Sequence, residues 1–204
     1  MLPAISALLA VALVAVLLLG SSKGGGSGGG RPATFDGAAI PGEARAPRFT
    51  LTDAHGRAVS VGPVEAGVTM LVFLPAGAQP QLGADCRVCV LAAQQVRGAL
   101  DELGPGTKVR TIFVSGAVPG GSADRLLSGS SLSKRVQYLT GGAVEVGKVW
   151  RAYRIDLPSS NSPEAEAATT VVLIDKRGRE RVAFGIEQLT PEGLSHDVRL
   201  LEGA

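Results

Sequence analysis

Residues 68–74 read VTMLVFL, and residues 86–103 read CRVCVLAAQQVRGALDEL. The first run is apolar except for one threonine, which is typical of a strand buried on both faces. In the second run, apolar residues recur at helical spacing until a Gly-Pro-Gly sequence ends the pattern: Leu91, Ala92, Val96, Ala99, Leu100 and Leu103. Together the two runs predict a buried strand followed by a helix, with two cysteines where the helix begins.

Strand and helix patterns alternate along the rest of the chain. Residues 49–51 and 58–61 flank a short turn containing a glycine and predict an N-terminal β-hairpin. The later patterns predict strands at 109–114, 136–139 and 169–174, helices at 123–127 and 143–153, a hairpin completed by 181–184, and a last helix from 190 to about 201. This order predicts an α/β fold of the thioredoxin-like kind, with a mostly parallel central sheet, helices on both faces and an antiparallel edge.

The bulk composition narrows the class of protein. The 204 residues carry 20 Lys and Arg against 18 Asp and Glu, and these charges are scattered along the sequence. No field of one sign arises that would attract nucleic acid, so we expect no nucleic-acid partner. The length after the N-terminal segments suits one domain with a sizeable core.

The N-terminus predicts attachment to a membrane. Residues 2–20 read LPAISALLAVALVAVLLLG and hold no charge, which is long enough to span a bilayer core of about 30 Å. We predict that residues 1–22 form a transmembrane anchor or a cleaved signal segment, with the anchor favoured. Residues 23–34 contain KGGGSGGGR and predict a flexible linker, and residues 35–204 form the folded domain. The expected location is the cell membrane, single-pass, with the domain on the extracytoplasmic side.

Cys86 and Cys89 are the only cysteines, and they are the one plausible reactive centre. At the start of a helix, exposed amide groups and the helix dipole favour a thiolate, and Arg87 adds positive charge. The spacing permits an internal disulfide, or two soft sulfur ligands on one ion such as Cu(I). We expect both sulfur atoms to face solvent. A structural disulfide is the alternative, whereas a structural zinc site would need four ligands.

The other candidate side chains carry weaker signals. His55 lies in the first hairpin turn and is predicted to be solvated, and His196 lies on the last helix as a surface or capping residue. Trp150 and Tyr153 are spaced for one helix face and are predicted to pack in the core.

Seven segments together resemble the Sco/SenC family. They read FDGAAIP, APRFTLTDAHGRAVSV, TMLVFL, CRVCVLAAQQVRGALDELG, QYLTGGAVEVGKVWRAYRI, TTVVLIDKRGRERVAF and LTPEGLSHDVRLLE, and they cover about residues 35–202. Members of that family are anchored thioredoxin-fold proteins that deliver copper to cytochrome c oxidase or act there as thiol reductants. The resemblance implies copper as the metal, held by Cys86 and Cys89, and the copper-binding subunit of the oxidase, or another thiol protein, as the partner.

The chain departs from this family at the site itself. The family's two cysteines are usually separated by three residues, whereas Cys86 and Cys89 are separated by two. The position of the family's histidine ligand falls on Ala167, which has no donor atom. Two thiolates can still hold Cu(I), because that ion accepts few, soft ligands.

Three functions stay open on the sequence. The first is a Sco-type accessory protein that binds Cu(I) or reduces thiols. The second is a general thiol-disulfide oxidoreductase, whose usual C-x-x-C spacing is present but whose usual cis-proline is replaced by Ala168 before the strand at 169–174. The third is a non-catalytic binding relative with a structural disulfide. Enzymatic activity is therefore uncertain.

Overall fold

A computed structural model describes residues 34–42, 44–62, 67–75, 86–116, 122–156 and 168–203. These residues fall within one unit, Thr34–Ala204. The predicted anchor, and the linker up to residue 33, lie outside the described residues and stay predictions. Within the described ranges, no helix combines the length and the apolar character that crossing a bilayer requires.

The strands and helices follow the order that the sequence predicts. The strands are β1 (Ala38–Ala39), β2 (Phe49–Asp53), β3 (Ala58–Val61), β4 (Val68–Phe73), β5 (Val109–Gly116), β6 (Val136–Gly141), β7 (Thr170–Ile174) and β8 (Glu180–Gly185). The helices are α1 (Arg87–Leu103), α2 (Ser122–Gly129), α3 (Ala143–Ala152) and α4 (Pro191–Gly203), with a 3-10 turn at Ile186–Gln188.

The strands form one mixed sheet in the order β1-β8-β7-β4-β5-β6-β2-β3. The strands β4, β5 and β6 at its centre are parallel, as predicted. Every other pairing is antiparallel, because the hairpin strands lie outside this centre on both sides. The α/β class and the N-terminal hairpin are confirmed, and the parallel part of the sheet is confined to its three central strands.

Two layers of side chains cover the two faces of the sheet. All six residues of β4 are buried, which confirms the prediction of a strand covered on both faces. Val171 and Leu173 face the layer that contains α1 and α4, whereas Val172 and Ile174 face the layer that contains α3. We call these the α1 face and the α3 face.

A buried carboxylate ties the start of the domain to the last helix. Asp197 on α4 is fully buried. Its two oxygens accept the backbone N–H groups of Asp36 at 2.9 Å and Gly37 at 3.0 Å. These bonds hold the segment before β1 against α4 and satisfy a charge that would be costly if left alone.

Candidate thiol site

A disulfide joins Cys86 and Cys89 at the start of α1, the helix that follows β4 in the chain. The S–S distance is 1.99 Å and the Cα atoms are 5.2 Å apart. The spacing of the cysteines thus brings the two sulfur atoms together in an internal disulfide, one of the two arrangements that the sequence permits.

Cys86 is the N-cap of α1, so its sulfur lies at the positive end of the helix. Its backbone is extended, and its Sγ accepts the backbone N–H of Cys89 at 3.2 Å. A sulfur that receives a backbone N–H at a helix N-terminus is stabilised in the thiolate form once the disulfide is reduced. Arg87, the first helical residue, is exposed and adds positive charge nearby.

The expectation that both sulfurs face solvent is wrong for this oxidised form. Cys86 is 4 % exposed and Cys89 is 2 % exposed. Both belong to the apolar cluster on the α1 face, together with Leu74, Val88 and Ala92. The first turn of α1 packs onto the sheet because its apolar stripe starts at the cysteines. The sequence pattern alone does not show whether the first turn of a helix is buried or exposed.

The donor set around the disulfide is small. Among the described residues, the one group of three His, Cys, Asp or Glu side chains close enough to share an ion is Asp36, His196 and Asp197, and it does not include a cysteine. Ala167, at the family's histidine position, lies outside the described residues. After reduction the site would offer two thiolates, a donor set that fits Cu(I) in kind and number.

The weaker candidates lie where the sequence places them. The His55 side chain is 77 % exposed in its turn. His196 is partly exposed on α4, with Nδ1 3.1 Å from a carboxylate oxygen of Asp36 and of Asp197. Trp150 and Tyr153 are buried on the α3 face, where both rings contact Phe73, which confirms the prediction of core packing.

The position just before β7, where a thiol-disulfide oxidoreductase usually has a cis-proline, is held by Ala168 and Thr169. The described residues contain no cis peptide bond. Thr169 lies just before β7, fully buried, and its hydroxyl has no hydrogen-bond partner among the described residues.

Exposed apolar side chains lie near the starts of α1 and α3, which cover opposite faces of the sheet. Val90 and Leu91 on α1 are 41 % and 42 % exposed, and Val144 on α3 is 65 % exposed. Both helices begin at the carboxyl ends of the parallel strands, so these residues lie at the same end. Leu91 is one of the apolar residues whose spacing predicts α1, and spacing alone does not fix which of them are buried.

Comparisons with known proteins identify the fold. No protein-family model and no curated protein matches the sequence. Among solved structures, copper-bound ScoI of Bradyrhizobium japonicum is 24 % identical, with a TM-score of 0.55 over 78 % of this chain and 99 % of that one. Yeast Sco1 is 17 % identical, with a TM-score of 0.57 over 78 % and 99 %.

A thiol-disulfide oxidoreductase has the same overall fold. The thioredoxin domain of such a protein from Bacteroides vulgatus is 15 % identical, with a TM-score of 0.53 over 79 % of this chain and 97 % of that one. Identities this low establish architecture and leave activity open. The chain therefore has the thioredoxin-like fold that Sco proteins and this oxidoreductase share.

Proposed function

We propose that this chain is a membrane-anchored Sco-type accessory protein that reduces a disulfide on its partner, working on the extracytoplasmic side. The observation that carries the proposal is the Cys86–Cys89 disulfide at the N-cap of α1, with Cys86 Sγ accepting a backbone N–H. The uncharged run at residues 2–20 supports the anchor. The copper-binding subunit of cytochrome c oxidase is the partner that the family resemblance favours.

The chemistry is one thiol-disulfide exchange in two steps. The Cys86 thiolate of the reduced chain attacks one sulfur of the partner's disulfide and releases the other as a thiolate, which leaves a mixed disulfide. The thiolate of Cys89 then attacks Cys86 Sγ, releases the partner as a dithiol and forms the disulfide seen in this structure. A thiol reductant of the same compartment must return the pair to the dithiol.

The exposed apolar residues support a protein partner. Val90 and Leu91 lie in the first turns of α1, directly after the disulfide, and Val144 lies at the same end of the sheet. The core of a protein–protein interface is richer in apolar side chains than its rim, so Val90 and Leu91 beside the disulfide suit a protein partner. Because Cys86 is 4 % exposed, exchange also requires a local opening at the start of α1.

Delivery of Cu(I) is a second candidate function. The two sulfurs, once reduced, are already close enough to converge on one soft ion, which supports binding. Titration of the reduced chain with Cu(I) in the presence of a competing chelator tests it. We expect one equivalent to bind in the wild type and none in Cys86→Ser, and no cysteine-dependent binding would remove this candidate.

A structural disulfide is the third candidate, and the burial of both cysteines favours it. The reduction potential separates it from the redox proposal. Structural disulfides have potentials below about −300 mV, whereas reactive ones are higher. Equilibration of the full-length chain with glutathione buffers measures the potential, and we expect a value above that limit.

Trapping tests the redox proposal directly. In Cys89→Ser, the resolving sulfur is absent, so the mixed disulfide at Cys86 should persist and appear as a reductant-sensitive complex with a membrane protein. The matched control Cys86→Ser keeps one thiol of similar burial and should trap nothing. If neither variant captures a partner disulfide, the redox proposal fails.

A further inference from the structure

Three side chains that can bind a metal ion meet where the start of the domain crosses α4. His196 and Asp197 are neighbours on α4, and Asp36 belongs to the segment before β1. Nδ1 of His196 lies 3.1 Å from a carboxylate oxygen of Asp36 and 3.1 Å from a carboxylate oxygen of Asp197. One nitrogen and two oxygen donors therefore lie close together, and none of them belongs to the thiol site.

The backbone holds the two carboxylates in place. Asp197 is fully buried, and its Oδ1 and Oδ2 accept the backbone N–H groups of Asp36 at 2.9 Å and Gly37 at 3.0 Å. A carboxylate oxygen has two lone pairs, so Oδ1 of Asp197 keeps a second one for the atom that lies between it and His196. Gly193 on α4 permits the close approach, because a Cβ there would lie 3.3 Å from Cβ of Asp36. Hydrogen bonds that orient a carboxylate in this way are typical of metal ligands.

The charges of the three side chains favour a cation. Within the described ranges, neither Asp36 nor Asp197 forms an ion pair with a lysine or an arginine. A buried carboxylate without a countercharge is costly, and Asp197 has no exposed surface. A proton on Nδ1 of His196 cannot make a straight hydrogen bond to two oxygens at equal distances, whereas one divalent ion can bind all three atoms.

We propose that Asp36, His196 and Asp197 form a binding site for Zn²⁺, with water in the remaining position. The inference goes beyond the proposed thiol chemistry and does not depend on the cysteines. Zinc binds imidazole nitrogen and carboxylate oxygen at about 2.0–2.2 Å, which places neighbouring donors of a tetrahedral site roughly 3.3 Å apart. The two N–O distances of 3.1 Å are close to that spacing, and all three donor atoms lie within 4.8 Å of one another.

The donor set selects the class of ion. Mg²⁺ and Ca²⁺ favour sites made of oxygen atoms, whereas Zn²⁺ accepts imidazole and carboxylate together. The side chains of His196 and Asp36 are 44 % and 56 % exposed, so an ion and its water reach the site from solvent. A bound ion would link the segment before β1 to α4, in addition to the two backbone hydrogen bonds, and would therefore stabilise the folded domain.

Titration of the oxidised, untagged full-length chain with Zn²⁺ tests the proposal. The disulfide removes both thiolates as ligands, so the binding that is measured comes from other residues. We expect one saturable equivalent of Zn²⁺ by calorimetry. The Tm should rise by about 5–10 °C when the free ion exceeds its Kd a hundredfold, because the ion binds the folded state. Mg²⁺ at the same concentration should leave the Tm unchanged.

Two donor variants and one control assign the ligands. His196→Gln and Asp36→Asn each replace one donor and should weaken Zn²⁺ binding by at least about tenfold, the loss that even changes outside the ligand set cause. The chain has one other histidine, His55, whose Nδ1 lies 3.9 Å from Asp53, a carboxylate that is already paired with Arg57. His55→Gln is therefore the matched control and should leave the affinity unchanged.

Co²⁺ in place of Zn²⁺ locates the ion. This ion is paramagnetic and broadens the NMR signals of nearby nuclei, so the amide signals of Asp36, Gly37 and His196 should weaken first. The amide signal of His55, in the turn between β2 and β3, should persist at the same Co²⁺ concentration.

Three results would overturn the proposal. The first is the absence of saturable Zn²⁺ binding to the oxidised chain. The second is an affinity that is the same in the wild type and in both donor variants, which would show an adventitious ion only. The third is Co²⁺ broadening that is centred on His55 instead of His196. The Tm of each variant without metal shows that it is folded, which separates a lost ligand from a lost structure.

Discussion

The capping contact of Cys86 should contribute to stability when no disulfide is present. In a Cys89→Ala background, neither Cys86→Ser nor Cys86→Ala can form the bond, so the two variants differ only at the N-cap. The serine hydroxyl can still accept the backbone N–H of residue 89, as Cys86 Sγ does at 3.2 Å, whereas alanine leaves that N–H unpaired. We expect the serine variant to be more stable by about 1 kcal/mol.

Urea unfolding of the two full-length variants measures this difference. The serine variant should have a higher midpoint at an unchanged slope, and about 1 kcal/mol corresponds to a Tm higher by roughly 2–4 °C for a domain of this size. The wild type under reducing conditions gives the reference for a sulfur at the cap. Equal midpoints, or a more stable alanine variant, would show that the contact between Sγ and the N–H exists only because the disulfide imposes it.

Three further predictions concern stability. Reduction of the disulfide should lower the free energy of unfolding by about 2 kcal/mol, which is the chain entropy that a four-residue loop removes from the unfolded state. Urea titrations measure this loss, and a loss above about 4 kcal/mol would instead indicate rearrangement of α1. Asp197→Ala should cost about 2–3 kcal/mol because two backbone N–H groups lose a charged acceptor, and Asp197→Asn should cost less; equal costs by thermal unfolding would contradict this. Hydrogen bonds to Asp53, of which the one from the backbone N–H of Arg57 has the largest effect, lower the pKa of Asp53 from 3.8 to about 2. The contribution of this carboxylate to the stability of the fold is therefore present above pH 3.8 and is lost as the pH falls through about 2. Acid titration of Asp53→Asn should show a flatter loss across that range, and an unchanged profile would refute the assignment.

The elements that the sequence predicts are those with strong periodicity. β4 is apolar at nearly every position and α1 repeats apolar residues along one stripe, so both were predicted to within about one residue. The turn residues Gly56 and Gly178 have φ of +75° and +74°, conformations that favour glycine, and they mark both hairpins in the sequence. Local chemistry therefore determines most of the fold.

The features missed by the sequence analysis depend on contacts between distant segments. β1 has only two residues and is defined by its pairing with β8, so no periodicity can reveal it. The burial of Cys86 and Cys89 depends on how α1 meets the sheet. Glu180 precedes the strand predicted at 181–184, and the shifted register pairs it with Ile174 on the α3 face. In each case the deciding partner lies far away in sequence.

The sheet separates the disulfide from a groove on the α3 face that Val172, Glu180 and Ala183 help to line. Alternate residues of β7 face opposite layers, so Val171 packs on the side of the disulfide and Val172 lines the groove. None of the residues that line the groove holds Cys86 at the N-cap, and β7 between the two faces is largely buried and paired on both sides. Changes in the groove should therefore leave the reduction potential of the disulfide unaltered. If the two properties proved to be linked, the link would pass through β7 or β8, because both strands contribute neighbouring residues to the two faces at this position.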